Sequence, residues 1–301
     1  MPRFRGRRTG MGIGEAFSIG SALAWAGGVI IYKRLGETLA PLQLNLLKNL
    51  IVMALIVPTL ALMPGFAWPS LPLSAVMLSL VSGAIGIAVA DTLYFRALNT
   101  LGAARMGVMG NLYSPFVIVL SFLFLSERLT PLQGVGFALV SAGVLLVSRQ
   151  HAGKVLSAAQ LRLGLLYGAG AVLLMAVAVV MVKRVLEGQP LLWIVALRLL
   201  GGVLGLGAVF LWRGEPLLPR SSPRIRWRVL FFGAFLGQYV SMVMWLAGYK
   251  YTKASIAAIL NETASIFIVL LAWLLLHEGM SMRKLLGVAC TLSGVACMLT
   301  T

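Results

Sequence analysis

The chain is written in apolar runs of about twenty residues, the length a helix needs to cross a hydrocarbon core, and this spacing limits its fold more than any single motif does. Ten such segments can be marked, roughly 13–34, 42–62, 73–97, 103–125, 131–148, 161–184, 190–212, 227–250, 254–276 and 283–300. The breaks between them carry turn chemistry: Pro64-Gly65, Pro69 to Pro72, Arg213-Gly214-Glu215-Pro216 and Ser221-Ser222-Pro223. Of the 301 residues, 60% are hydrophobic and 11% charged, against about 25% charged in a soluble chain. A soluble core could not hide that much apolar surface. No interval between the segments is long enough for a soluble domain. The expected fold class is therefore an all-α membrane protein with ten transmembrane helices, since inside hydrocarbon a helix satisfies its own backbone.

The formal net charge is +17. Its Lys and Arg residues are scattered through the short connections, where they suit anionic lipid headgroups rather than nucleic acid. Arg220, Arg224, Arg226 and Arg228 form the densest such loop. Trp68, Trp212 and Trp227 fall at segment ends, where Trp anchors a helix at the interface. Arg3, Arg5, Arg7 and Arg8 precede the first segment and imitate a signal peptide, but no convincing cleavage site follows, so a retained first helix is expected. Cys290 and Cys297 share one segment, ~10 Å apart along a helix, too far for a bridge. His151 and His277 are isolated, so Cys and His assemble no metal site. No cofactor is expected.

The second half repeats the first. Lys33-Arg34-Leu35-Gly36-Glu37 recurs as Lys183-Arg184-Val185-Leu186-Glu187, at an offset of 150 that also carries Lys48 onto Arg198. Ser114 to Glu127 matches Ser265 to Glu278 without a gap at an offset of 151, and Gly136 and Gly143 fall on Gly287 and Gly294. Residues 1–150 and 151–301 are thus expected to be two five-helix repeats. Five is odd, so the second copy must enter the bilayer upside down. Inverted repeats of this kind place a site near the midplane where the copies meet.

Charges deep in a bilayer are costly and usually face a cavity. Lys48, Asp91, Arg198 and Glu262 have apolar flanks on both sides, and their signs balance. Asn45, Lys48 and Asn49 stand on one helix face, Asp91 and Tyr94 are three apart, and Asn111, Ser114 and Pro115 repeat the spacing. Asn261, Glu262 and Ser265 cluster similarly. Trp25, Tyr113, Gln238, Tyr239 and Trp245 supply candidate walls with polar tips. Two readings stand: the pairs Lys48–Asp91 and Arg198–Glu262 are interhelical ties, or at least two of the four line a solute path. Pro115, read as lying mid-helix, is either a packing kink or a hinge. Glu127 and Glu278 end apolar runs and are read as boundary residues. The pairs Gly164/Gly168, Gly201/Gly205 and Gly233/Gly237 are read as intramolecular helix contacts.

The run Asp91-Thr-Leu-Tyr-Phe-Arg-Ala-Leu-Asn-Thr-Leu-Gly-Ala-Ala-Arg105, then Tyr113-Ser-Pro115, Phe-Leu-Ser-Glu-Arg-Leu129 and the Gly-rich helix 134–146, resembles the drug/metabolite transporter superfamily, specifically its ten-helix EamA-type members. The resemblance covers about 13–300 and implies helices around a central cavity and movement of small organic solutes, often outward. The chain departs from the pattern where Ile266 stands opposite Pro115, leaving a helix break clear in one copy. The small multidrug-resistance branch uses a carboxylate in its first helix. Trp25 and Met175 occupy the matching region here, so that branch's proton-coupled mechanism is not carried over.

These features point to a secondary transporter, an exporter or exchanger, in the inner (cell) membrane of a bacterium. A cavity with both charge signs and aromatic walls suits a small zwitterion such as an amino acid. No GxxxxGK[ST] motif couples it to ATP. The acidic residues lie mostly at helix ends, which disfavours an intramembrane enzyme; a channel or scaffold is the other alternative. Both termini are expected on one side of the bilayer. Lys and Arg counts favour an external side for them, whereas the resemblance implies the cytoplasm. The partners expected are a small-molecule solute and lipid, with monomer and homodimer both open.

Overall fold

A computed structural model of the chain describes residues 12–36, 38–62, 69–148, 156–214, 225–276 and 281–299. His151, His277, Glu278, Trp68, Arg220, Arg224 and the Arg residues before Gly12 lie outside them. Among the described residues there is no strand. The helices are α1 (Ile13–Leu35), α2 (Pro41–Ala61), α3 (Leu73–Leu101), α4 (Ala103–Gly110), α5 (Tyr113–Leu125), α6 (Pro131–Ser148), α7 (Ala158–Gly188), α8 (Leu191–Arg213), α9 (Trp227–Tyr251), α10 (Ala254–Asn261), α11 (Ala264–Leu276) and α12 (Met282–Leu299). Seven are long and apolar enough to cross a membrane, and Tyr113–Leu125, Pro131–Leu146 and Ala254–Ile268 are shorter apolar stretches.

Local chemistry sets the ends. Pro41 opens α2, where its missing N–H costs nothing. Ser157 and Gln160 form a reciprocal capping box at the start of α7. Gly214, at φ +61°, closes α8, and Ser126, at φ 58°, closes α5. Gly102, at φ +81°, separates α3 from α4, a conformation that a side chain would resist.

The bundle reverses the burial order of a soluble protein. Leu62, Phe124, Leu166 and Leu211 are exposed, as a lipid-facing surface requires, while Asn45, Lys48, Asn49, Ser79, Ser82 and Ser114 are fully buried. Trp212 and Trp227 are also exposed, consistent with an interfacial position.

Packing is reciprocal between the halves. α1 lies against α9, α10 and α11, and α7 lies against α3, α4 and α5. α2 contacts α8 and α9, and α8 contacts α2 and α3. The same exchange appears at single residues. A methyl group on Gly136 would stand 2.8 Å from the Gly294 carbonyl oxygen, and one on Gly143 would stand 2.5 Å from that of Gly287. Gly28 meets Gly237, and their counterparts Ala178 and Gly86 meet in turn. In the α6–α12 contact residue numbers rise on one helix as they fall on the other, so the two helices run antiparallel. Gly164, Gly168, Gly201, Gly205, Gly233 and Gly237 all meet other parts of the same chain, as expected of small residues that let helices approach in lipid. Cys290 and Cys297 are not joined in a disulfide.

Candidate functional site

Two local irregularities build the interior, each occurring once per half. The first is a π-helical stretch, Ala84–Ala90 in α3 and Phe235–Val240 in α9. Asp91 follows the first stretch directly and Gln238 lies inside the second. Single π turns in helices are frequent at functional sites, because the extra residue re-aims the side chains beside it.

The second irregularity is a helix break, a two-residue turn at Asn111-Leu112 between α4 and α5 and at Glu262-Thr263 between α10 and α11. Pro115 is therefore not mid-helix. It sits in the first turn of α5, where its missing N–H leaves the Asn111 carbonyl without an α-helical donor, and Phe116 N–H resumes the ladder at Leu112. The second copy breaks without proline. Ser265 and Ile266 donate three residues back, to Glu262 and Thr263, and the Thr263 hydroxyl donates to Leu260 O at 2.6 Å. The expectation of a clear break in one copy only is corrected: a tightened turn does in the second half what Pro115 helps to do in the first.

Around these irregularities lies a cavity of about 260 Å³. Asp91, Arg198 and Glu262 line it, with Trp25, Tyr94, Asn111, Tyr113, Gln238 and Trp245. Ser21, Ser241, Asn261 and Ser265 add hydroxyl and amide groups, and Met106, Met175 and Met242 add flexible apolar wall. Three of the predicted residues, Asn45, Lys48 and Tyr239, stand behind the lining. Tyr239 bonds Thr59 at 2.7 Å and stacks on Phe235.

The four charges are used unequally. Lys48 is completely buried; its Nζ donates to Asp91 Oδ2 at 2.7 Å and to Gln238 Oε1 at 3.0 Å, and it lies over the rings of Tyr32 and Phe95. Gln238 Nε2 continues to Asn49 Oδ1, and Asn49 Nδ2 to Asn45. Asn45 Nδ2 donates to Thr92 and to the carbonyl of Ile87 in the first π stretch. One polar chain thus joins α2 to both π stretches. Arg198 Nη1 donates to Ser82 Oγ and to Ala178 O, and its guanidinium lies over the Trp245 ring. Its Nε has no partner. Neither oxygen of Glu262 has a partner at hydrogen-bond geometry, although the hydroxyl and backbone N–H of Ser114 are its polar neighbours. The supposed Arg198–Glu262 tie is not formed. The Lys48–Asp91 tie is.

Several participants carried little sequence signal. Ser82 has no polar counterpart at the repeat offset. Tyr249, four residues after Trp245 and so on its helix face, bonds the Tyr113 hydroxyl at 2.6 Å and meets the Trp245 ring edge-on. Glu127 is more than an end marker: it accepts from Ala254 N–H, Ser255 N–H and the Ser255 hydroxyl, capping α10. No group of His, Cys, Asp and Glu that could hold a metal occurs among the described residues.

Apolar surface outside, charged groups within and helices long enough to span a bilayer define a polytopic integral membrane protein. Its sequence matches the EamA-like transporter family twice, over residues 12–149 and 162–300. The chain belongs to that family and is a membrane transporter of the drug/metabolite type; the family is one of transporters rather than enzymes. The two matches fall on the two halves of the repeat. A crystal structure titled only as that of a protein is similar, with a TM-score of 0.75 over 94% of this chain and 95% of its own at 18% identity, and shows the shared fold. No curated protein matches the chain.

Proposed function

We propose that the protein is a secondary carrier, an exporter or exchanger, that moves a small zwitterion such as an amino acid through the cavity between its two halves. The observation that carries this reading is a pair of opposite charges on one cavity wall set, each with polar atoms that no group of the chain takes up. Arg198 keeps Nε free for a carboxylate, and Glu262 keeps both oxygens free for an ammonium group. Trp25, Tyr94, Trp245 and the three Met residues between them offer apolar area for a side chain. A cavity of about 260 Å³ lies at the small end for ligand sites, which run to about 1,000 Å³ for drug-sized molecules.

The reciprocal contacts support two inverted five-helix repeats, α1–α6 and α7–α12, with α4–α5 and α10–α11 each forming one broken span and ten spans in all. Exchanging the halves maps each contact named above onto another of them, as a two-fold axis does. The antiparallel α6–α12 crossing fits an axis in the membrane plane. Alternating access would then rock one set of spans against the other around the cavity. The working location in this reading is a bacterial inner membrane, checked by fractionation.

The test is thermal stabilisation of purified protein by L-leucine, L-leucine amide and N-acetyl-L-leucine, which present both charges, the cation alone and the anion alone. The reading expects L-leucine to stabilise most, Arg198→Ala to abolish the response to the N-acetyl compound and Glu262→Gln to abolish the response to the amide. Equal responses in both variants would overturn it.

A further inference from the structure

The two halves carry one cation each at the same place, Lys48 and Arg198, and use them differently. Lys48 Nζ donates to Asp91 Oδ2 at 2.7 Å and to Gln238 Oε1 at 3.0 Å. At the repeat offset of 151, Asp91 falls on Met242 and Gln238 on Ile87. The positions that give Lys48 a carboxylate and an amide oxygen thus hold a thioether and an alkyl chain in the other half. Met242 and Ile87 line the cavity together with Arg198. Met242 also stands three residues before Trp245, on the same face of α9, and the Arg198 guanidinium lies over the Trp245 ring at 5.7 Å. The guanidinium plane is held from α3, α7 and α9. Nη1 donates to Ser82 Oγ and, at 3.2 Å, to Ala178 O, while Ser82 Oγ itself donates to Ala178 O at 2.6 Å. In a planar guanidinium the Nε–H and one Nη2–H point along a common edge, a fork that matches the two oxygens of a carboxylate. Among the described residues no group takes up Nε. Nη2 lies beside Gly86, where an added methyl group would stand 3.4 Å from it. Gly86 belongs to the first π stretch and lines the cavity.

From this juxtaposition we propose that Met242 is a specificity-determining residue. By standing where the repeat would place an acid, it leaves the Nε–Nη2 edge of Arg198 to the solute's carboxylate, which accepts two parallel N–H bonds there. The solute then does for Arg198 what Asp91 does for Lys48. An acid at position 242 would do the same from within the chain and close the edge to solute. The identity of the visitor rests on the solute reading above; the direction in which the edge faces does not.

The test uses Met242→Glu, which nearly keeps the shape of Met and adds a carboxylate, and Met242→Gln, which has that shape without the charge. Each is made alone and together with Arg198→Ala, and the purified proteins are melted with and without solute. In the Arg198→Ala background, Met242→Glu should melt well below Met242→Gln, because the new acid is stranded. With Arg198 present that gap should close or reverse. The same gap in both backgrounds would overturn the proposal. N-acetyl-L-leucine should stabilise wild type and lose its effect in Met242→Glu, with a smaller loss in Met242→Gln and a smaller loss for L-leucine amide. Full stabilisation of Met242→Glu by N-acetyl-L-leucine would overturn the proposal and leave the solute reading standing. Arg198→Lys keeps the charge without the fork, so it should need at least about tenfold more N-acetyl-L-leucine for the same stabilisation, a difference of about 1.4 kcal/mol. An unchanged requirement would likewise overturn the fork, whether or not Met242→Glu folds. Coupling of Met242→Glu to Arg198 without any stabilisation of wild type by L-leucine or N-acetyl-L-leucine would support the edge and overturn the solute reading.

Discussion

At the residue scale, the polar interior divides into groups that hold one another and groups left for something else. Lys48 and Asp91 belong to the first kind. Lys48 is fully buried and bonded to Asp91 and Gln238, so Lys48→Met strands an acid, which typically costs about 3–5 kcal/mol when one partner of a buried pair is removed. We expect that variant to unfold at a clearly lower temperature and Lys48→Met with Asp91→Leu to recover much of the loss; equal melting of single and double variants would contradict the tie. Arg198→Ala and Glu262→Gln should melt near wild type and lose solute binding instead. The sequence makes these charges visible because any charge inside an apolar run stands out. It does not reveal which are paired, since pairing depends on helix rotation. Lys48 was read as lining and lies one layer behind, and Arg198 takes Ser82 and a backbone carbonyl rather than Glu262.

At the element scale, segment positions were legible because hydrophobic length is a direct physical requirement of the bilayer. The structure places α1 at Ile13–Leu35 where the sequence suggests 13–34, and α2 at Pro41–Ala61 where it suggests 42–62. The π stretches were not legible, because one extra residue per turn changes neither hydropathy nor length. The break at Glu262-Thr263 was also missed, since Ile266 supplies no proline signal and the turn is made by hydroxyl and backbone bonds. Helix crossings lend themselves to a paired test. Gly201 packs on the Leu80 carbonyl, whereas Gly207 has nothing within 4 Å of a methyl group placed there. Gly201→Val should lower the melting temperature, since overpacking costs about 1–3 kcal/mol of stability. Gly207→Ala should be neutral or raise it slightly, through a helix propensity gain of up to ~1 kcal/mol. Equal effects in detergent melting would mean that α3 and α8 do not cross at Gly201. Glu127→Gln should also destabilise, by about 1 kcal/mol, because it weakens the charge-assisted cap on Ala254 and Ser255.

At the scale of the whole molecule, the two halves share a plan and differ in chemistry. Both have a π stretch and a broken span, but Asp91 answers to Met242 and Glu262 to Asn111 across the repeat. An oriented, charged solute can exploit such a difference, since each of its ends meets a distinct wall. The ten spans proposed above would put both ends of the chain on one side of the membrane. Reporter fusions at residues 1 and 301 should therefore report the same compartment, and opposite compartments would require an odd number of spans.

The central claim is that the cavity bounded by Arg198 and Glu262 is the solute path of a carrier. It is tested most directly by exchange of labelled L-leucine in proteoliposomes containing wild type, Arg198→Ala or Glu262→Gln. The predicted result is saturable uptake in wild type, accelerated by unlabelled solute inside. Uptake should be reduced at least about tenfold in each variant, as expected for removing one partner of a buried charged contact, with melting temperatures close to wild type. Uptake that does not saturate and is indifferent to internal solute would describe a channel, and undiminished exchange in both variants would place the path elsewhere.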